Sequence, residues 1–264
     1  MPASSDRSPF AGTAAYYAKF RAPYAPAALD WVVETFALTD KDRVLDLGCG
    51  PGILAIPLSR TVAEVIAVDP DAEMIAEGQR LAEREERRNV RWLNVRAEKV
   101  PADAGPFKIT TIGQAFHWMV RDAVLARLAV LIRDGGGLAL VNPGKRRPQE
   151  IWELTAAPIV AQYLGPPTRH PNSNPQEPEH EPALRRSSHF SHFTTREFPG
   201  AITRDIPSIL GFIYSISSSA RPLFGDRAGA FEAELSEALL RLNPTGAFEE
   251  RIETEVLIAP KKAR

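Results

Sequence analysis

The stretch of the 264-residue chain that most restricts its fold is Val44–Gly52, which reads V-L-D-L-G-C-G-P-G. Its first residues form a short apolar run typical of a buried strand, and glycines follow at 48, 50 and 52. A strand, a glycine-rich turn and a helix in succession bring backbone N–H groups close to a ligand at the helix start. We therefore expect this stretch to open an α/β fold and to carry its ligand site.

Short apolar segments alternate with helix-length segments around this turn. Strands are predicted at 43–47, 65–68, 90–95, 109–112 and 137–141, and helices at 30–38, 53–60, from Pro70 onward and at 123–132. Such alternation is typical of a parallel sheet with helices on both faces. The pattern predicts one doubly wound α/β unit over 44–142.

The chain after Asn142 has a different character. Nine of the 23 prolines lie between Pro143 and Pro182, which predicts a long loop over roughly 165–182. Helices are expected at 206–214 and 231–242. The alternating apolar and charged residues of 251–258 predict a late edge strand. We interpret 143–248 as additions to the α/β unit and not as an independent domain.

Composition excludes several classes of function. Lys and Arg total 32 against 33 Asp and Glu, so the chain lacks the basic excess that nucleic-acid or anionic-membrane binding requires. The single cysteine, Cys49, permits neither an intrachain disulfide nor a zinc site built on thiolates. The first residues lack the order of a secretory signal, and no apolar run approaches the ~20 residues of a membrane span. We expect a cytoplasmic protein.

Two acidic residues indicate the kind of ligand. Asp69 ends the second predicted strand, where a carboxylate can accept both hydroxyls of a ribose. The turn reads G-x-G-x-G and not the G-x-G-x-x-G that holds a dinucleotide pyrophosphate. Asp46, two residues before Gly48, would repel a pyrophosphate and attract an amino group. S-adenosylmethionine, with its ribose and cationic amino-acid end, is therefore the expected cofactor, and a nicotinamide cofactor on an atypical turn stays open as an alternative.

At these residues the chain resembles the class I S-adenosylmethionine-dependent methyltransferases, particularly the small-molecule group with UbiE-like and trans-aconitate-methyltransferase-like enzymes. The resemblance extends over roughly Phe10–Asn142. It includes the A-F-H-W segment after the fourth strand and the Arg133–Gly137 loop before the fifth. It implies a Rossmann-like, mostly parallel seven-stranded sheet with helical and loop insertions after the fifth strand.

The resemblance also implies which residues bind the cofactor. The glycine turn would hold the methionine portion, Asp69 the ribose, and residues after the second and third strands the adenine. Arg96 stands where the family usually has an acid, which leaves the following alanine and glutamate as adenine contacts. The full predicted set is Asp46, Gly48, Cys49, Gly50, Asp69, Pro70, Met74, Ala97, Glu98, Gln114, Ala115 and Phe116.

Other residues are expected on the acceptor side. His117 is the candidate catalytic base, with core packing and pocket lining as the alternatives. The predicted substrate or lid residues are Tyr16, Tyr17, Arg21, Trp118 and Tyr214. The remaining histidines, His170, His180, His189 and His192, lie in the loop-rich region and are not expected to bind a metal.

The resemblance implies three segments and one activity. Residues 1–42 would form an N-terminal helical lid, 43–142 the S-adenosylmethionine-binding core, and 143–264 acceptor-side insertions plus the last strands of the same sheet. The expected activity is methyl transfer to O, N or C of a small molecule, without a nucleic-acid or membrane partner and in an oligomeric state left open. The alternatives are an S-adenosylmethionine-binding accessory or regulatory protein, and a nucleotide-cofactor oxidoreductase.

Overall fold

The computed structural model describes residues 8, 10–143, 149–166, 180–190 and 192–262. The chain divides into two compact units. The first, here called the sheet unit, comprises 24–145, 170–199 and 253–264, and the second, the helical unit, comprises 1–23, 146–169 and 200–252. The predicted loop at 165–182 falls largely on residues 167–179, which lie outside the described residues, as does His170.

Seven strands in the described residues form one sheet in the order β3-β2-β1-β4-β5-β7-β6. Strands β1 to β5 pair in parallel, and β7 runs antiparallel to β5. This arrangement confirms the doubly wound, mostly parallel seven-stranded sheet. The strands are β1 Arg43–Leu47, β2 Glu64–Val68, β3 Val90–Leu93, β4 Phe107–Gly113, β5 Ile132–Pro143, β6 Thr194–Asp205 and β7 Ala247–Pro260.

Helices connect these strands and build most of the helical unit. Those with residues of the sheet unit are α2 Pro26–Thr35, α3 Ala55–Leu58, α4 Ala72–Arg84, α5 Arg121–Leu131 and α7 Glu181–Arg186. Those of the helical unit are α1 Ala14–Phe20, α6 Ile151–Leu164, α8 Ile206–Tyr214, α9 Arg221–Phe224 and α10 Ala228–Leu242. Within the described ranges, none of the helices combines the length and the apolar character that crossing a membrane requires.

Strand β1 lies in the middle of the parallel strands and is covered on both faces. Leu45 and Leu47 pack in one apolar cluster and Val44 in another, because successive side chains of a strand point to opposite faces. Burial on both faces explains why the sequence here is almost continuously apolar. The carboxyl ends of β1, β2 and β4 therefore lie side by side at one edge of the sheet.

The late strand predicted at 251–258 is present, but the prediction that it lies at the edge of the sheet is wrong. Strand β7 lies between β5 and β6, and its segment from Val256 to Ala259 is fully buried. The edge strand is β6, whose sequence T-T-R-E-F-P-G-A-I-T-R-D is mostly exposed and contains Pro199 and Gly200. A proline and a polar composition are typical of an edge strand, but they also remove the apolar signal by which a strand is predicted.

The prediction that Pro70 opens a helix is also wrong. Helix α4 begins at Ala72, and the side chain of Asp71 caps it by accepting hydrogen bonds from the backbone N–H groups of Glu73 (2.8 Å) and Met74 (3.2 Å). An aspartate at this position satisfies N–H groups that the first helical turn leaves without partners. Pro70 therefore lies exposed in the connection between β2 and the cap.

The helical unit has an aromatic core of its own, which includes Phe224 and Phe231. A buried ion pair joins Arg204 and Glu250, whose side chains are 3% and 4% exposed. The Arg204 guanidinium also donates to the carbonyl oxygen of Phe20 (2.9 Å) and lies over the rings of Trp152 and Phe212. This pair thereby connects α1, α6, α8 and the ends of β6 and β7.

Candidate functional site

The turn after β1 is built on glycines in the left-handed region. Gly48 and Gly50 have φ values of 64° and 51°. A Cβ at Gly48 would lie 2.3 Å from Cβ of Ala115, so the segment after β4 packs directly on this turn. A Cβ at Gly50 would meet nothing within 4 Å. Ala115 therefore packs against the turn at Gly48, whereas the space beside Gly50 is open to a ligand.

Asp69, at the end of β2, holds this turn in place. Its Oδ2 accepts a hydrogen bond from the backbone N–H of Gly50 (2.9 Å), and its Oδ1 accepts one from the N–H of Asp71 (2.8 Å). Burial raises the pKa of Asp69 to about 6, an increase that these two hydrogen bonds limit. Each carboxylate oxygen can accept a second hydrogen bond, so the residue can hold the turn and a sugar hydroxyl together.

Asp46 is the most deeply buried acid of the site, with 1% of its surface exposed. Its Oδ1 accepts a hydrogen bond from the hydroxyl of Thr111 (2.8 Å), whereas its Oδ2 has no hydrogen-bond partner among the described residues. Burial raises its pKa to about 7, although the Thr111 hydroxyl and, more weakly, the backbone N–H of Ala55 oppose this shift. A buried carboxylate oxygen without a donor is costly, and a ligand's ammonium group would supply the missing donor.

Cys49 belongs to the turn through its backbone. Its N–H donates to the carbonyl oxygen of Val68 (3.0 Å), which links the turn to β2. Its side chain is 7% exposed, and burial raises the pKa of the thiol well above 9. The thiol is therefore protonated and unreactive at neutral pH, and only the backbone of this residue is suited to contact a ligand.

The predicted adenine residues lie in the two segments that follow β2 and β3. Pro70 is exposed after β2, while the side chains of Met74 and Ala97 are 3% and 7% exposed. Glu98 accepts a hydrogen bond from the N–H of Val120 (3.0 Å), which ties its turn to the start of α5. Burial alone would raise the pKa of Glu98, but the Val120 N–H and the neighbouring arginine outweigh it and lower the pKa.

The segment after β4 bends sharply at Gln114, a non-glycine residue with a φ of 50°. Ala115 follows against Gly48, and the ring of Phe116 turns into the core, 5.4 Å from the ring of His180. Phe116 is 1% exposed, so its side chain supports this segment from within and does not offer a face to a ligand.

His117 and Trp118 complete the same segment, with their rings 5.2 Å apart. Both side chains are half-buried. Burial and then the nearby Arg121 lower the pKa of His117 below its usual value. The imidazole is therefore neutral at pH 7, the form that can accept a proton.

The other predicted acceptor-side residues belong to the helical unit. Tyr16 packs edge-on against Tyr214, and Arg21 lies over the ring of Tyr17. Tyr214 is 2% exposed and donates a hydrogen bond from its hydroxyl to Glu232 (2.9 Å), so burial and this acceptor raise its pKa. These four predicted residues therefore come together in one cluster of α1 and α8.

Three residues that support the site were not predicted. Thr111 holds Asp46, and the side-chain amide of Asn94 donates to the carbonyl oxygen of Asp69 (3.0 Å). The indole of Trp92 fills the space beside Gly52 and Gly78, where an added Cβ would lie 2.7 Å and 2.4 Å from it. The threonines within the apolar run I-T-T-I are the one signal that could have indicated a polar partner for Asp46.

Nowhere in the part of the chain that the structure describes do three or more histidine, cysteine or acidic side chains come together as metal ligands would.

Comparisons with known proteins agree with this geometry. Residues 44–136 match the family model described as a methyltransferase domain. An uncharacterized methyltransferase of Mycobacterium tuberculosis is 33% identical over 137 residues, 50% of this chain and 51% of its own length. A ubiquinone biosynthesis O-methyltransferase of Acinetobacter baumannii is 25% identical over 59% of this chain and 68% of its own. The chain thus spans about half the length of the mycobacterial relative.

Solved structures show the same fold. A proposed type II methyltransferase from Anaeromyxobacter dehalogenans has a TM-score of 0.64 with 21% identity, over 92% of this chain and 98% of its own. At this identity the match concerns the fold alone. The matched residues 44–136 run from β1 into β5 and include the glycine turn, so the similarity to methyltransferase domains covers the part of the chain that carries the candidate site.

Proposed function

We propose that this chain is an S-adenosylmethionine-dependent methyltransferase that acts on an oxygen, nitrogen or carbon atom of a small molecule. The observation that carries the proposal is Oδ2 of Asp46, a buried carboxylate oxygen just before the open glycine turn that accepts no hydrogen bond from the residues the structure describes. The α-ammonium group of the cofactor would supply that donor. A pyrophosphate would instead place negative charge beside two buried acids, Asp46 and Asp69.

The remaining predicted residues fit the rest of the cofactor. The backbone of Gly48, Cys49 and Gly50 would hold the methionine portion, and Asp69 would accept the ribose hydroxyls while it keeps the turn closed. The adenine would lie among Pro70, Met74, Ala97 and Glu98, and Gln114, Ala115 and the backbone of Phe116 would border the reacting end. In this arrangement the carboxyl ends of β1, β2 and β4 supply most of the binding groups.

Alignment and the exclusion of water are the main tasks of the protein. When bound, the cofactor supplies a methyl group that is already electrophilic because it is attached to a positively charged sulfur. The chain would hold the acceptor atom in line with that methyl group and keep the site dry. His117 would accept a proton only if the acceptor has one to lose, and its lowered pKa keeps it ready for that role.

The acceptor side would be formed by aromatic residues and one arginine. Trp118 borders His117, and we propose that Tyr16, Tyr17, Arg21 and Tyr214 contact the acceptor or close over it. In this view 1–42 and 143–264 carry acceptor-side residues, 43–142 bind the cofactor, and 143–264 also contribute the last strands. The near-neutral charge and the ubiquinone O-methyltransferase relative support a small molecule in the cytoplasm, with oxygen among the candidate atoms.

Calorimetry tests the cofactor assignment directly. We expect the purified chain to bind S-adenosylhomocysteine and S-adenosylmethionine and to show no heat with NAD⁺. Asp46→Ala should abolish binding, whereas Glu237→Gln, on an exposed helix face, should leave it unchanged. Binding of NAD⁺ in preference to S-adenosylhomocysteine would overturn the proposal.

Methyl transfer requires a second experiment. The protein is incubated with S-adenosylmethionine and a panel of small phenols, amines and carboxylic acids, and mass spectrometry follows the gain of one methyl group together with S-adenosylhomocysteine. We expect methylation of at least one class, with loss of product in Asp46→Ala. Tight cofactor binding without any product across the panel and in a small-molecule cell extract would contradict the proposed activity.

A further inference from the structure

Tyr24 is a residue of the sheet unit to which neither the resemblance nor the proposed function assigns a role. Tyr24 precedes α2 in sequence. Its hydroxyl nevertheless packs against the backbone of Gly113, the last residue of β4. A Cβ added to Gly113 would lie 2.7 Å from Oη of Tyr24 and 2.9 Å from Cδ1 of Leu54. Only a glycine leaves room for the phenol at this position, so the sequence of β4 is adapted to hold Tyr24 there.

The contact continues to Gln114, the next residue. Its side-chain Nε2 donates to Oη of Tyr24 at 3.4 Å. The backbone of Gln114 is left-handed, with a φ of 50°, and its N–H donates to the carbonyl oxygen of Val141 (3.1 Å). A glutamine in this conformation is strained, and such strain persists where the surroundings fix a residue for a purpose.

The same segment touches the glycine turn. Ala115 packs on Gly48 so closely that a Cβ there would lie 2.3 Å from its own. Gln114 is therefore held between Tyr24 on one side and, through Ala115, the turn on the other. Its amide nitrogen is engaged by Tyr24, while its half-buried Oε1 accepts no hydrogen bond among those that the described residues make.

We propose that Tyr24 is a positioning residue that acts through Gln114 and lets the site distinguish the charged cofactor from its neutral product. Because the phenol holds Nε2, Oε1 is presented to the group on the cofactor's sulfur. A carbonyl oxygen beside a positive sulfonium is favourable, and beside the uncharged thioether sulfur of S-adenosylhomocysteine it contributes little. The inference rests on the proposed function. It adds that Tyr24 and Gln114 determine how strongly the site prefers the charged cofactor over the neutral product.

The test compares affinities for ligands that differ only at this group. Calorimetry measures the dissociation constants of S-adenosylmethionine, S-adenosylhomocysteine and sinefungin, in which a carbon bearing a charged amine replaces the methylated sulfur. Tyr24→Phe, which removes only the hydroxyl, should weaken the two charged ligands about fivefold, the value of one hydrogen bond, and the neutral ligand less than twofold. Tyr163→Phe, whose hydroxyl pairs with Glu234 in the helical unit, should change none of them.

A double variant separates positioning from general loosening of the fold. Gln114→Asn keeps an amide and suits the left-handed backbone, but it is too short to reach the phenol. We expect it to lower the affinity for charged ligands as Tyr24→Phe does, and the double variant to be no worse than either single variant. Equal weakening of all three ligands by Tyr24→Phe, or additive losses in the double variant, would overturn the inference.

These outcomes are distinct from a failure of the proposed function. A wild-type chain that binds none of the three ligands contradicts the cofactor assignment itself. A wild-type chain that binds them all, with an unchanged ratio of affinities in Tyr24→Phe, contradicts only the role of Tyr24.

Discussion

Thr111 and Asp46 face each other across the paired strands β4 and β1, and the threonine hydroxyl donates a 2.8 Å hydrogen bond to the carboxylate. The pairing register of the two strands creates this contact, because the two residues are Cα partners in the parallel ladder. The pairing of β1 with β4 therefore helps to hold the central acid of the site.

Thr111→Val should weaken cofactor binding. The substitution keeps the shape of the side chain but removes the hydroxyl that donates to Asp46, so the pKa of that carboxyl should rise above about 7. We expect the affinity for S-adenosylhomocysteine at pH 7 to fall five- to tenfold, and the free energy of unfolding at pH 8 to fall by ~1–3 kcal/mol. Calorimetry and urea titration measure the two quantities.

Thr110→Val is the matched control, since its hydroxyl is buried without a hydrogen-bond partner among the described residues. Removing that hydroxyl should leave affinity unchanged and stability equal or higher. A loss of affinity in Thr110→Val as large as in Thr111→Val would mean that the strand, and not the hydrogen bond, is responsible.

Cofactor binding should depend on pH around neutrality. The pKa of Asp46 is about 7 in the free protein, against 3.8 as its ordinary value, so the carboxyl is largely neutral below pH 7. An ammonium ligand requires the carboxylate, and binding at pH 6 should release close to one proton. Affinity should fall by up to about tenfold per pH unit below 7 and level off above it. Calorimetry in buffers of different ionisation enthalpy counts the protons.

Asp46→Asn extends the same argument to stability. The carboxyl of Asp46 loses its proton near pH 4 in the unfolded chain but only near pH 7 in the folded protein. The free energy of unfolding of the wild type therefore falls as pH rises from about 4 to about 7. The asparagine variant should lack this fall and be more stable at pH 8 by ~1–3 kcal/mol, while it loses affinity for S-adenosylhomocysteine. Parallel pH profiles of stability for the two proteins would argue against the raised pKa.

Gly78→Ala should destabilise the sheet unit although alanine favours helices. An added Cβ in the middle of α4 would lie 2.4 Å from the indole of Trp92, and this overpacking costs more than the ~1 kcal/mol gained in helix propensity. We expect a net loss of ~1–2 kcal/mol in urea titration. Gly229→Ala in α10, where a Cβ meets nothing within 4 Å, should instead be neutral or stabilising.

Glu250→Gln should strongly destabilise the helical unit. It leaves the buried guanidinium of Arg204 without its counter-charge, and breaking such a buried pair costs ~3–5 kcal/mol. Thermal and urea unfolding measure the loss. Glu237→Gln, which breaks the exposed pair with Arg241, should cause no measurable change, and similar effects of the two substitutions would show that burial of the Arg204 pair is unimportant.

The parallel part of the fold was predictable because its signals are local. Buried strands such as β1 and β2 are short apolar runs, and helix-length segments separate them. Strand β6 was not predicted, since an edge strand with Pro199 and polar residues on both faces carries no such run. The position of β7 inside the sheet depends on β6 and was therefore predicted wrongly as well.

The site was predictable in part for a related reason. Asp46 and Asp69 stand beside the turn in the sequence, so their type and spacing indicate a ligand. Thr111 and Asn94 reach these acids from other strands, and nothing in a single sequence gives the pairing register that brings them there. Whether the cofactor contacts the predicted residues stays a prediction for the experiments above.

The hydrogen bonds of Asp69 to Gly50 and Asp71 have a consequence for how its variants are interpreted. One carboxylate fastens the loop and would also receive the sugar, so the shape that the loop presents to a ligand depends on the residue that would bind it. Substitution at this position would therefore disorganise the receptor before any nucleoside arrives. The affinity that such a variant loses has two parts: the entropic cost of reordering a loosened loop and the loss of the hydrogen bonds to the sugar. A crystal structure of the ligand-free variant would show whether the loop is loosened.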